Sequence, residues 1–147
     1  MQALIFCGIQ ASGKSTFYCQ RFLNSHVRIS LDVLRTRHRE ARLLQFCLET
    51  QTRFVVDNTN PTAEERQRYI GPAKAAGYAI IGYYFSSSTE AALLRNQQRA
   101  PAEQVPERGI RGTRARLELP SFAEGFAELY FVRIGDDGRF VVEPWQV

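Results

Sequence analysis

The spacing of apolar positions changes several times along this chain, and each change marks an element. The run QALIFC at 2–7 is short, almost wholly apolar and closed by Gly8, which predicts a buried strand. A helix is predicted from about Lys14 to Asn24, and a second short strand at VRIS, 27–30. Ser30 stands where a helix cap belongs. Leu34, Ala41, Leu44 and Leu48 then fall on the apolar side of a helix predicted from Leu31 to about Thr50. RFVVDN at 53–58 reads as the third strand. The next helix has two possible starts, Asn60 before Pro61 or a capping box from Thr62 and Glu65, and runs to Gly77 with a kink expected at Gly71-Pro72. YAIIGYYF makes a fourth strand, and STEAALLRNQQR at 88–99 a fourth helix stopped by Ala100-Pro101. From Pro101 to Gly112 the chain is polar, holds Pro106 and Gly109, and reads as a mobile connection. Residues 127–143 then read as a hairpin, AELYFVRI and RFVVE, around GDDG. Strands alternating with helices predict the α/β class: a central, mainly parallel sheet flanked by helices, with the last hairpin strand as an antiparallel edge.

Composition narrows the setting. The 147 residues, 44% hydrophobic, fit a single domain over 1–147 and leave no room for a second catalytic one. No apolar run approaches the roughly 20 residues that span a bilayer. Met1 leads into QALIFCG without a basic segment, so the expectation is a soluble, cytoplasmic protein away from the membrane. Cys7, Cys19 and Cys47 are odd in number and widely spaced, a pattern of reduced thiols rather than of disulfides or zinc ligands. Within the net charge of +4, Lys14 and Lys74 are the only lysines, and arginine supplies the rest of the permanent positive charge. Arginine's planar fork suits phosphate binding, although a solvated arginine-rich surface gives the same composition.

The strongest chemical signal is Gly8-Ile9-Gln10-Ala11-Ser12-Gly13-Lys14-Ser15, which fits G-x-x-x-x-G-K-[ST] and lies after a strand and at the opening of a helix. Small residues let such a Walker A loop fold into a nest of inward N–H groups, and the positive end of the helix adds to its field. Gly8, Gln10, Ala11, Ser12, Gly13, Lys14, Ser15 and Thr16 are therefore the candidate nucleotide-binding set. Lys14 is expected to bridge the β- and γ-phosphates, and the Ser15 hydroxyl to take a place on Mg²⁺. Three further patches bear on what is done with the triphosphate. In SLDVLR, Asp32 and Arg35 are three apart. The carboxylate can accept the proton of an attacking hydroxyl while the arginine holds an anion, but an acid at a helix N-terminus beside a solvent arginine looks the same. Asp57 ends the third strand where a Walker B acid belongs, and Asn58 stands where an ATPase would carry a water-activating glutamate, which favours transfer to an organic hydroxyl. Arg95 and Arg99 lie one turn apart, as lid arginines or as a basic helix C-terminus. Arg108, Arg111 and Arg114 would share one basic side of a helix, and Arg35, Arg39 and Arg42 form a second stripe. No NKxD guanine signature is present, which leaves ATP as the default donor.

Taken in order, GIQASGKSTF, SLDVLR, VVDNTNPTAEERQRYI, KAAGY, RNQQR and LPSFAEGFAELY resemble the polynucleotide 5′-kinase family, the kinase domain of polynucleotide kinase/phosphatases among the small P-loop kinases. The likeness spans nearly the whole chain. It implies a P-loop kinase fold, ATP with Mg²⁺ as donor and a nucleic acid 5′ end as acceptor. It further implies that Asp32 is the general base on the 5′-hydroxyl, that Arg35 binds the acceptor's phosphate and that Asp57 supports the site. Arg99, with Arg95 beside it, would belong to a lid of about 95–112 over the donor phosphates. There are departures. The family commonly has Pro-Gly where Gln10-Ala11 stand, and often Asn-Arg where Ser30-Leu31 stand, the second implying a reshaped acceptor pocket. A small metabolite, nucleoside, sugar or antibiotic as acceptor, and a nucleotide-binding switch module, are the other functions this pattern accommodates.

Overall fold

β1 (Gln2–Cys7) lies inside the sheet, and its continuous apolar run follows from that place, since Ala3 through Cys7 are all buried. The computed structural model describes residues 1–146. Beside β1 run β3 (Phe54–Val56) and β4 (Ala79–Phe85), with β2 (Val27–Ile29) outside β3 and then β5 (Glu128–Ile134) and β6 (Phe140–Pro144) outside β4. The order is β2-β3-β1-β4-β5-β6. All neighbours are parallel except β5 and β6, which pair antiparallel from Ile134 opposite Phe140 to Tyr130 opposite Pro144. This is the expected mainly parallel sheet with an antiparallel edge.

The two-residue period of β1 divides the core between the faces of the sheet. Ala3 and Ile5 join Leu44 and Cys47 of α3 (Arg37–Thr50) and Tyr69, Ile70 and Ala73 of α4 (Ala63–Ala75). Leu4 and Phe6 join Phe17 and Tyr18 of α1 (Lys14–Arg21) together with Phe85 and Val132. A third, smaller cluster packs Ile9 and Ala11 against Ala92 of α5 (Thr89–Gln97) and Ile110 of α6 (Glu107–Arg116).

Several boundaries differ from the expected ones. The single helix predicted over 31–50 is two, α2 (Leu31–Leu34) and α3, separated by Arg35 with φ 73°. Thr36 caps the second piece by accepting from the Arg39 amide at 3.2 Å, whereas Ser30 makes no capping bond. The stripe of Arg35, Arg39 and Arg42 is thereby broken, because Arg35 lies outside α3. Thr62 and Glu65 form the capping box of α4, so Asn60 is not its cap, and the helix continues through Pro72. The stretch 101–112, expected to be an irregular mobile connection, instead holds a 3₁₀ turn at Pro101–Glu103 and the start of α6. Burial of Ile110 and Thr113, one turn apart, supports that helix despite two glycines. The side chain of Asn96 closes the connection by donating to the Val105 carbonyl at 2.7 Å and accepting from its amide at 2.9 Å.

Among the described residues no helix is long and apolar enough to cross a membrane. All three cysteines are free, and burial pushes the Cys7 and Cys47 thiols up to about 11, which leaves them inert. Arg66 has no exposed surface. Its Nε donates to Glu124 Oε1 at 2.7 Å and its other terminal nitrogens to Glu124 Oε2 and the Asn60 carbonyl. Arg66→Ala is expected to cost about 3–5 kcal/mol, because it strands a largely buried carboxylate. Denaturant unfolding checks this, and a loss within the 1 kcal/mol or so of an exposed pair would contradict it.

Candidate nucleotide-binding and active site

The loop between β1 and α1 curls through two left-handed residues, Ala11 at φ 59° and Gly13 at φ 96°. Gly13 has a second constraint, since a Cβ there would stand 3.0 Å from the Phe140 ring of β6. Ala11 takes its conformation without being glycine, at a cost on the order of 1–2 kcal/mol. That backbone accounts for the glycine at this position in the family the sequence resembles. Two side chains fasten the loop from outside: Arg95 donates to the Ala11 carbonyl and Gln10 to the Thr113 hydroxyl, each at 3.0 Å.

Lys14 is buried and folded back along the loop, donating to the carbonyls of Gly8 at 3.0 Å and Ile9 at 2.7 Å, with Ser12 Oγ at 3.4 Å. Burial pulls its ammonium down to about 8, with Asp57 opposing the fall. The folded value lies below the unfolded one, so between about pH 8 and the ordinary lysine range the unfolded chain holds more protons, and this group makes folding more stable as pH rises. A bound polyphosphate would favour the charged form, so nucleotide affinity is expected to fall across the same window. Melts and nucleotide titrations of the wild type against Lys14→Met check both signs. Affinity independent of pH in the wild type would show that Lys14 does not meet the phosphates.

At the start of α1, Ser15 Oγ donates to Asp57 Oδ2 at 2.9 Å, and Arg28 on β2 donates to both, at 2.8 Å to the carboxylate and 2.9 Å to the hydroxyl. Among the described residues no cluster of three or more His, Cys, Asp or Glu side chains is arranged to hold a metal. The Ser15–Asp57 pair is a different kind of site, two hard oxygens beside a phosphate loop, and fits Mg²⁺, which binds few protein ligands and keeps water and phosphate for the rest.

A cleft of ≈ 400 Å³ opens in front of the loop. Gln10, Ala11, Gly13, Lys14, Ser15 and Thr16 line one side, Leu31 and Asp32 of α2 another, Asp57, Asn58 and Thr59 the floor beyond β3, and Arg99 and Val105 the α5–α6 side. Three candidates from distant parts of the sequence, Asp32, Asp57 and Arg99, thus share a cleft with the loop. The others do not line it. Gly8 and Ser12 stand behind Lys14 as acceptors, Arg95 is turned to the loop backbone, and Arg35 is exposed where α2 ends. The structure also gives parts to residues the sequence did not single out. Arg28 reads in sequence as one polar position on an edge strand. Asn58, noted only for not being glutamate, accepts from the Leu31 amide at 2.9 Å and donates to Glu40 at 2.8 Å. A glutamate among four arginines at 35–42 carries no sequence signal that it is buried, and only its position within the apolar stripe beside Ala41 and Leu44 hints at it.

Residues 4–120 match the family described as AAA domain. The bifunctional polynucleotide phosphatase/kinase of Schizosaccharomyces pombe is 29% identical over 132 residues, a stretch that covers 87% of this chain and 32% of that protein. The chain therefore spans about a third of that relative's length. Among solved structures, Chaetomium thermophilum Kti12 in complex with ADP-AlF3 aligns with a TM-score of 0.68 at 17% identity, over 92% of this chain and 90% of that one. A gluconokinase from Sinorhizobium meliloti 1021 aligns with a TM-score of 0.63 at 16% identity, over 92% and 83%. Likenesses at these identities show a common fold, that of the P-loop kinases.

Proposed function

We propose that this chain, which belongs to the AAA domain family, is a nucleotide-dependent phosphotransferase that moves the γ-phosphate of ATP to the 5′-hydroxyl of RNA or DNA. The observation that carries this reading is the meeting of Asp32 with Lys14, Ser15, Asp57 and Arg99 around one cleft. The loop amides and Lys14 hold the donor phosphates, and Arg99 faces the charge that develops on them. Ser15 and Asp57 would hold Mg²⁺, which when bound neutralises phosphate charge. Asp32 takes the proton as the acceptor oxygen bonds to the γ-phosphorus, whose bond to the β,γ-bridging oxygen breaks to leave ADP. Asn58 supports an organic acceptor, because an amide engaged with Leu31 and Glu40 has no basic atom to offer water.

The 5′ end as acceptor rests on the resemblance of the sequence motifs, on the polynucleotide phosphatase/kinase relative and on charge. Arg108, Arg111 and Arg114 are exposed along α6, next to the cleft wall at Val105. A small hydroxylated metabolite is the second reading, and the exposed position of Arg35, outside the cleft, favours it. Labelled ATP offered with 5′-hydroxyl oligonucleotides and with a panel of nucleosides and sugars separates the two. If a single strand lies along α6, log affinity should fall against log salt by about 0.7 per phosphate contact, and Arg111→Ala should flatten that slope by roughly one contact. An oligonucleotide that fails to bind even at low salt removes the first reading.

A further inference from the structure

α2, which carries Asp32, is a helix of four residues, and a single turn does not hold itself in water. Its own residues cap neither end, and the one neighbouring side chain that reaches it is Arg39, which donates to the Leu34 carbonyl at 3.2 Å at the C-terminal end. The Ser30 hydroxyl is buried and unpartnered, and Arg35 closes the turn in a left-handed conformation that carries its own strain. The first amide of the turn is satisfied from elsewhere in the fold: Leu31 N–H donates to Asn58 Oδ1 at 2.9 Å, across 27 residues of sequence. The amide nitrogen of Asn58 donates in turn to Glu40 Oε2 at 2.8 Å and to the Tyr69 hydroxyl at 3.2 Å. Glu40 is 2% exposed, and its Oε1 accepts from the Tyr69 hydroxyl and from Arg37, both at 2.9 Å.

The order of donors and acceptors along this chain is determined. Glu40 acts as an acceptor at both oxygens, so only the NH₂ end of Asn58 can face it, and the carboxamide oxygen is left towards α2. We propose that Asn58, oriented by Glu40, is a positioning residue that fixes the turn bearing Asp32 against the donor loop, a step that rests on the reading of Asp32 as base. The relay explains why an amide follows Asp57: a residue here must accept from a helix amide on one side and donate to a buried carboxylate on the other. A carboxamide does so from two separate atoms of one planar group, which lets it span the two partners.

Reversing the polarity of the central bond tests the relay. Asn58→Asp sets a second carboxylate against Glu40, while Asn58→Asp with Glu40→Gln restores a donor facing an acceptor and keeps an oxygen for Leu31. Turnover, the KM for ATP, and amide exchange of residues 31–34 are measured for each. Asn58→Asp is expected to lower kcat by about 10–100-fold, the scale of a misplaced catalytic group, with the KM for ATP within about twofold. Exchange of the α2 amides should rise at least about tenfold, and the double variant should recover most of both losses. Normal exchange and turnover in Asn58→Asp, or a double variant no better than the single one, overturns the proposal. If the wild type phosphorylates no oligonucleotide, the acceptor reading fails instead, and the exchange measurements alone decide the relay.

Discussion

Asp32→Ala is expected to lower turnover by about 10²–10⁴-fold, the contribution of a general base, with nucleotide binding intact. The separation of the two effects follows from position. Asp32 reaches the cleft from α2, whereas the phosphate-facing groups belong to the loop, to α1 and, in Arg99, to the segment after α5. Its carboxylate is exposed at the cleft and makes no hydrogen bond that the fold depends on, so the variant should melt within a degree or two of the parent. Single-turnover transfer and calorimetric titration of a non-hydrolysable ATP analogue together check the claim. Near-normal turnover on the true acceptor would remove Asp32 from the mechanism as its base.

Lys14→Ala should abolish transfer and also weaken nucleotide binding strongly, the opposite signature from Asp32→Ala in the binding assay. Lys14 is a buried cation at the centre of the loop, and its removal leaves the amides and the helix end to meet the phosphates alone. In the free protein its three contacts are to Gly8, Ile9 and Ser12, all of the loop itself, so the loss should stay local. Circular dichroism should show an unchanged fold. A variant that binds ATP as the wild type does would mean the ammonium never leaves the carbonyls of Gly8 and Ile9, and the Walker A reading would then lack its central charge.

What the sequence disclosed and what it concealed divide along the reach of the forces involved. β1, the loop after it and the Thr62–Glu65 cap were legible because their signals lie within a few residues: an apolar run, a glycine, a hydroxyl three positions before a glutamate. The break at Arg35 was not, because Leu34, Ala41, Leu44 and Leu48 keep helical spacing across it, while the positive φ that separates the two helices leaves no mark in that spacing. Thr36 did carry a readable cap signal, outweighed by that longer periodicity. α6 was hidden by Pro106, Gly109 and Gly112, and forms because Ile110 finds Ile9 and Ala11 far earlier in the chain. In the cleft, the donor loop was readable from spacing alone. Asp32 was singled out by its spacing from Arg35 and Asp57 by its place at a strand end, with their roles supplied by resemblance, while Arg28 and Glu40 acquire their partners only when strands and helices assemble.

The fastening of the loop to α5 and α6 sets a mechanical limit on how the cleft can open. Arg95 grips the Ala11 carbonyl, Gln10 grips Thr113, and an apolar contact of Ile9 and Ala11 with Ala92 and Ile110 lies between the two grips. A hinged lid over about 95–112 would have to part all three at once, so these contacts set the resistance that any such closure has to overcome. Across the cleft stands the opposite wall, the four-residue α2, held by Asn58.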